Sequence, residues 1–475
     1  MMKLKSLLCY FCLFLLGCSG AKQTVLEKNL HYPKSTRAGI PYVLSETDLR
    51  CTAWWEKLND PKLNELITVA LAANDQINSA KATIAEAKAQ LKAAQFAWIP
   101  TLDASANGFS ARAWGTDLTP LGPLAGQPTL THRSQIKFRG YAGGFVPGYT
   151  VNILNNLSNI KAAKATLAMK HALKLSVKLT IISQMSGAYF MLLSQREQLS
   201  LEKTLCAKLK QLGQLEQIRF KKGVSNLAES INIDQELAAE EAKLPALENV
   251  IAQSENTIQR LLNQNPGPVQ TKARLASLNL TTLMPKNLPS SVLKNRPDIL
   301  LAIHNMQMAD ANLGLAYSAF FPTISLTGLL GKTSLDLRHL LKLSTNIWLT
   351  KAMAATKLLN LSAYQNIKAM KASISASYHD YLHTVHEALM EVDNALTQAQ
   401  KTKTAYLHTK KAYQAAKKAH TLVLSQYKAG AIDYRPVLHA TINLQRQQLS
   451  LVQEKAQLLD SYVQVYEVLA GGALN

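Results

Sequence analysis

Three histidines, His379, His383 and His386, stand four and three residues apart, with Asp380 and Glu387 beside them. On a helix that spacing sets the imidazoles on one face, where two of them can hold a zinc ion. The other reading is an ordinary polar stripe on an exposed helix. The chain has no phosphate-cradling glycine motif, no cysteine pairs at zinc spacing and no nucleophile elbow. GYAGGF, from Gly140 to Phe145, reads as small residues in a strand and not as a nucleotide loop. No catalytic residue, metal or cofactor is therefore assigned, and the chain is expected not to be an enzyme.

The elements that would carry these residues come from an internal repeat. Residues 74–106 superimpose without a gap on a later stretch, with Ile77 on Ile299, Ala87 on Ala309, Trp98 on Phe320 and Pro100 on Pro322. Both copies read as an alanine-rich helix, an aromatic residue, a proline and then a strand. RFKKGVSNL around Gly223 matches QYKAGAIDY around Gly430, and LLNQNPG at Leu261 matches VLAGG at Val468. The chain is thus a duplication, with a first repeat over 18–270 and a second over 271–475 that form one integrated fold. Each repeat is expected to run short helix, strand, loop, strand, very long helix, turn, long helix.

From Asn156 to Arg219 there is no proline, and Leu201, Leu205, Leu209 and Leu212 recur at helical spacing. A helix of about sixty residues is on the order of 90 Å long. The second repeat copies it from Ser362 to Tyr427. Helices return over Leu227–Leu262, with Pro245 as a kink, and over Tyr434–Leu469. Short turns at Gly223 and Gly430 make each pair an antiparallel hairpin. The strands are expected over Thr101–Arg112, Gln135–Val146, Thr323–Lys332 and Ser344–Met353, each near ten residues, the length of a tilted membrane strand. Ile136 and Phe138 would face lipid where Lys137 and Arg139 face a lumen, and Leu102, Ala104 and Ala106 share a face. Four strands cannot close a useful barrel, and an open edge in lipid strands its backbone groups without partners. Several copies must therefore share one barrel. Pro100 and Pro322 mark the passage from periplasmic helix to outer-membrane strand.

The N-terminus agrees with that address. Lys3 and Lys5 precede an apolar run, Leu7 to Leu16, too short to span a bilayer, which reads as a signal peptide over 1–17. It ends in Leu15-Leu16-Gly17-Cys18, which resembles a lipobox, and makes Cys18 the lipidated first mature residue ahead of a linker over 18–50. Ser19 and Gly20 offer no aspartate of the kind that retains lipoproteins in the inner membrane. Cys9 and Cys12 leave with the signal, so Cys51 and Cys206 alone could pair, which is no disulfide framework. The net charge is +21, or +19 once Lys3 and Lys5 are removed. The lysines are scattered along helices and not clustered beside aromatics, which argues against nucleic acid and for solvated helix faces.

RPDI at Arg296, FFPTISLTG at Phe320, TVHEALMEVDNAL at Thr384, YKAG at Tyr427 and the terminal VLAGG resemble the hallmarks of the TolC-like outer-membrane efflux proteins. The lipobox and WWEKLNDPKLNELI at Trp54 are similar to their lipoprotein members that serve resistance-nodulation-division pumps. The resemblance covers nearly the whole mature chain. It implies a fold that is mainly α with a membrane β-barrel: a homotrimer whose copies complete twelve strands and whose hairpins form a periplasmic tunnel. It also implies an adaptor protein and an inner-membrane transporter as partners, and passive export of drugs, toxic compounds or metals. A protein secretion duct is the alternative function. A structural coiled-coil lipoprotein would not need four amphipathic strands.

Three departures stand out. Asn152, Leu154 and Asn155 occupy the place of an Asp-aromatic-Gly turn, TKLLNLS at Thr356 replaces a second glycine-rich turn, and Ile303 follows Ala302 where the family pattern has a glutamate. At the tunnel's inner aperture the family's acidic position, nine past the turn glycine, is His439, and the leucine five past it is Arg435. The first repeat offers Glu229, Asn232 and Asp234 in the same zone. A basic aperture would be less cation-selective, held shut by Arg435 pairing with Glu229 or Asp234. Otherwise Arg435 and His439 merely occupy solvated faces.

Overall fold

A computed structural model describes residues 53–115, 134–278 and 295–470 apart from 336, 341–345 and 358, together with 37, 39, 42, 43, 280, 288 and 289. Cys18 and Cys51 lie outside the described residues. In chain order the elements are β1 (Tyr42–Val43), α1 (Pro61–Ala73), α2 (Asp75–Phe96), β2 (Thr101–Gly115), β3 (Ser134–Val151), α3 (Ile153–Lys221), α4 (Leu227–Glu241) and α5 (Lys243–Leu261). There follow β4 (Leu288–Pro289), α6 (Pro297–Ser318), β5 (Thr323–Ser334), β6 (Asn346–Ala355), α7 (Leu361–Lys428) and α8 (Arg435–Val468). The helix, two strands, long helix and returning helix occur twice in that order.

α3 and α7 are 69 and 68 residues long, roughly 100 Å at 1.5 Å per residue. Neither contains a proline, and each starts at an asparagine, Asn152 or Asn360, whose side chain accepts the backbone N–H three residues on. The first returning helix is not continuous: it breaks at Ala242 into α4 and α5. Pro245 has no N–H to give and its ring excludes the carbonyl of Glu241, so the break falls a turn before the proline. Beside the turns the helices lie in the order α7, α8, α3, α4/α5; nearer the sheet they run α2, α3, α6, α7.

The main core fills the zone where these two arrangements meet. Trp54, Trp55, Leu58, Leu63 and Ile67 pack there with Tyr189 and Phe190 of α3, Leu261 of α5, Leu396 of α7 and Tyr462 and Tyr466 of α8. Trp54 stacks on Tyr466 with ring centroids 5.0 Å apart. The WWEKLNDP stretch is therefore a wedge that ties both repeats into one core. Asp60 caps α1 through Lys62 N and Leu63 N and accepts the Tyr189 hydroxyl at 2.8 Å.

The sheet is antiparallel in the order β2-β3-β5-β6. β2 and β3, at 15 and 18 residues, run well past the ten expected. Their ends are rich in glycine and carry Pro147, so alternation fades there although the backbone stays extended; the β3–β5 pairing skips Pro147, which has no ladder N–H. Directly opposed residues share a face, and one row reads Ala104, Phe145, Leu330, Trp348. Phe145, Leu330 and Trp348 are 57%, 56% and 74% exposed. Asp103, Ser105, Asn107, Thr327 and Lys351 fall on the other face, mixed with Leu349 and Met353. The side chains of Ile136, Lys137 and Phe138 lie outside the described residues, so their assignment to lipid or lumen has no counterpart here.

Where β3 crosses β5, Gly144 and Gly331 meet: a methyl on Gly144 would come 2.4 Å from the Gly331 Cα, and one on Gly331 equally near the Gly143 carbonyl. Gly144→Ala is expected to destabilise the sheet by about 1–3 kcal/mol through overpacking. Heat-induced unfolding of the detergent-extracted protein reads this, and an unchanged melting temperature would show that the backbones can spread.

Candidate functional site

The helical hairpins end in two turns. Gly223 and Gly430 have φ of 73° and 71°, left-handed values that residues with a Cβ seldom adopt. Around these turns charged side chains knot the two repeats together. Glu216 of α3, with a fully buried side chain, contacts the Arg435 Nε of α8 at 2.7 Å as an ion pair, and Ser225 Oγ donates to it at 2.8 Å. Arg435 Nη2 donates to Glu229 Oε2 at 3.0 Å, and Arg219 Nη1 to Asp433 Oδ2 at 3.1 Å. The Ser225 hydroxyl and the Arg435 guanidinium hold the Glu229 carboxyl below its ordinary range. Leu205, Leu209 and Leu212 of α3 with Ile233, Leu438 and Ile442 form a dry layer just above.

Of the aperture residues named from sequence, the structure brings Arg435 and Glu229 together and leaves Asn232, Asp234 and His439 exposed. Asp234 is not a partner of Arg435. Glu216, Arg219, Ser225 and Asp433 were missed. Glu216 reads in sequence as one more polar residue on a long helix, and only the approach of α8 makes it the centre of the knot.

Higher on the same hairpin, where α4 gives way to α5, a cavity of about 760 Å³ is lined by Glu202, Glu240, Lys243 and Arg446 among others. Burial, then a hydrogen bond with Glu240, raises the Glu202 carboxyl to about 7. Glu240 goes the other way: burial would raise it, but the Glu202 hydrogen bond and Lys243 outweigh that and lower it. A carboxyl raised on folding contributes stability that is complete below its unfolded pKa of 4.5 and is lost as pH rises through 7. Glu202→Gln is therefore expected to unfold at higher urea than the parent at pH 8 and at the same urea near pH 4.5. The gain at pH 8 is about 1–3 kcal/mol; equal pH slopes for the two proteins would refute it.

At the other end, Pro100 and Pro322 stand between the helices and β2 or β5. Asn152 takes over the missing Asp-aromatic-Gly turn: its Nδ2 donates to Ser318 O and Phe321 O at 3.0 and 3.2 Å, tying the start of α3 to the α6–β5 junction. Asn156 Nδ2 does the same for Ala97 O at 3.3 Å. His379, His383 and His386 are all exposed on α7, with His383 Nε2 3.9 Å from Glu387 Oε2. Among the described residues no group of three or more His, Cys, Asp or Glu side chains is placed to hold a metal ion. Cys206 is a buried free thiol, and burial raises its pKa.

Long helical hairpins that carry a small antiparallel sheet with an apolar face open to its surroundings define a class, the outer-membrane channel built on a helical tunnel. Among the described residues no helix is long and apolar enough to cross a membrane. Residues 66–264 and 288–471 match the outer membrane efflux protein family, and the chain belongs to it. It is an outer-membrane component of an efflux system. The chain is 27% identical to the solvent efflux pump outer membrane protein SrpC of Pseudomonas putida over 484 aligned residues, 99% of each protein. It is 26% identical to the probable outer membrane lipoprotein SilC of Salmonella typhimurium over 298 residues, 62% of this chain and 61% of SilC. In three dimensions it is similar to the Campylobacter jejuni outer membrane channel CmeC, with a TM-score of 0.77 at 21% identity over 94% of each chain.

Proposed function

We propose that three copies close their sheets into one twelve-stranded barrel and their hairpins into one tunnel, a passive export duct for small molecules such as drugs, toxic compounds or metals. The observation that carries this is the sheet itself. Its edge strands β2 and β6 have no further partner among the described residues, and its Phe145–Leu330–Trp348 row is uncovered, a state that lipid and neighbouring copies would relieve. Repeats 18–270 and 271–475 act as one unit, supported by the core they share. The signal over 1–17 is removed and Cys18 takes lipid. The duct docks a periplasmic adaptor and an inner-membrane transporter, which select the cargo and supply the energy, and it catalyses no reaction itself. The turns at Gly223 and Gly430 form the inner aperture, lined by Arg435, His439, Glu229, Asn232 and Asp234 and less cation-selective than an acidic ring.

Single-channel recording of the detergent-extracted protein in planar bilayers tests the duct. A small, stable conductance is the expected result. No conductance, with the protein soluble once its lipid is removed, would instead indicate a structural lipoprotein.

A further inference from the structure

Beside the turns the helical layer has two open edges of opposite charge. Along α7 from Lys401 to Lys428 there are seven lysines and no aspartate or glutamate. Along α4 and α5 the acids Glu229, Asp234, Glu236, Glu240, Glu241, Glu248 and Glu255 face only Lys243 and Arg260 in the same stretch. Five of those acids already have cations within the chain: Arg435 for Glu229, Arg446 for Glu236, Lys243 for Glu240, Lys203 for Glu248 and Arg196 for Glu255. Asp234 and Glu241 are exposed and have none among the described residues, and the same holds for Lys411 and Lys418.

The spacing on the two edges matches. α7 buries Thr402 and Ala416 and leaves Leu407, Lys411, Gln414, Lys418 and Leu422 exposed, a stripe at steps of four, three, four and four. α4 buries Ser230 and Ile233 and exposes Ile231, Asp234, Ala238 and Glu241, with Pro245 beyond. Leu422 is six residues before the end of α7 and Ile231 four residues after the start of α4, a difference of about 3 Å in height. From there the two stripes climb together, four residues to Lys418 against three to Asp234, then seven to Lys411 against seven to Glu241, then four to Leu407 against four to Pro245. Each lysine meets an acid, Leu422 meets Ile231, Leu407 meets Pro245, and Gln414 falls opposite Ala238.

Resting on the trimeric duct, we infer that these edges form the seam between copies, with Lys411 and Lys418 of one chain set against Glu241 and Asp234 of the next. The two faces differ, so the contact is heterologous and closes as a ring. Charge matching also fixes its register, since a slip of one helical turn would set lysine against alanine.

Charge exchange in the full-length protein tests this. Lys411→Glu with Lys418→Glu, and separately Asp234→Lys with Glu241→Lys, are expected to weaken trimers about tenfold per contact in low-salt detergent solution, read by mass photometry. Combining all four substitutions restores the pairing with its sign inverted and should recover the trimer. If either reversed edge leaves trimers intact, or the combined variant is no better than the single-edge variants, the seam is wrong while the duct stands. A parent protein that is itself monomeric and does not conduct would overturn the duct reading first.

Discussion

Replacing Arg296 by alanine is expected to cost about 1.5–3 kcal/mol of stability, the loss of its hydrogen bonds to charged groups, since Asp298 and Glu391 are each 43% exposed and stay solvated. Arg296 is 7% exposed and immediately precedes α6. Its guanidinium forks onto Asp298, with Nε to Oδ1 at 3.1 Å and Nη2 to Oδ2 at 2.7 Å, while Nη1 donates to Val468 O at 3.0 Å. Nη2 also reaches Glu391 Oε2 on α7. Burial works against this cation, but the two carboxylates outweigh it and raise its pKa. One side chain thereby fastens the start of α6, the middle of α7 and the end of α8. Arg296→Lys keeps the charge but not the fork, so it should recover only part of the loss. Urea unfolding followed by circular dichroism measures both, and an alanine variant within about 0.5 kcal/mol of the parent would show that RPDI has no structural role.

Arg435→Leu is expected to raise single-channel conductance several-fold and to lower stability by about 3 kcal/mol, because Glu216 would remain buried with its charge half answered. Arg219 Nε, at 3.5 Å, is then its nearest cation. If the aperture is as proposed, adding His439→Asp should also turn the channel toward cations. The pH response has a defined sign. A carboxyl lowered on folding contributes above its unfolded pKa, so the Glu229 arm of the knot holds at neutral pH and lets go only as pH falls below the ordinary value of 4.5. Recording at a series of pH values reads the Glu229 arm. Conductance unchanged in Arg435→Leu would mean that the knot braces the hairpins without closing the pore.

Much of this protein is legible in one dimension. The duplication, the proline-free helices and the turn glycines depend on local rules, namely hydrophobic period, helix propensity and the need for a positive φ, which neighbours in space seldom override. β3 runs five residues past its expected end at Val146 because Pro147 and Gly148 erase the alternation by which a strand is recognised, and β6 ends two residues later than expected. The break at Ala242 lies three residues before Pro245 for a local reason too, since the proline acts on the turn before it.

The list of elements, their order and the family resemblance are thus readable along the chain. Which charges meet is set by packing alone. Arg435 had Glu229 and Asp234 as equal candidates in sequence, and the packing of α8 on α3 chose Glu229 and added the buried Glu216. Asn152 took the work of a glycine-rich turn by reaching the α6–β5 junction of the other repeat. Such pairings join residues far apart along the chain. Their energy depends on burial and distance, and neither exists until the helices have packed.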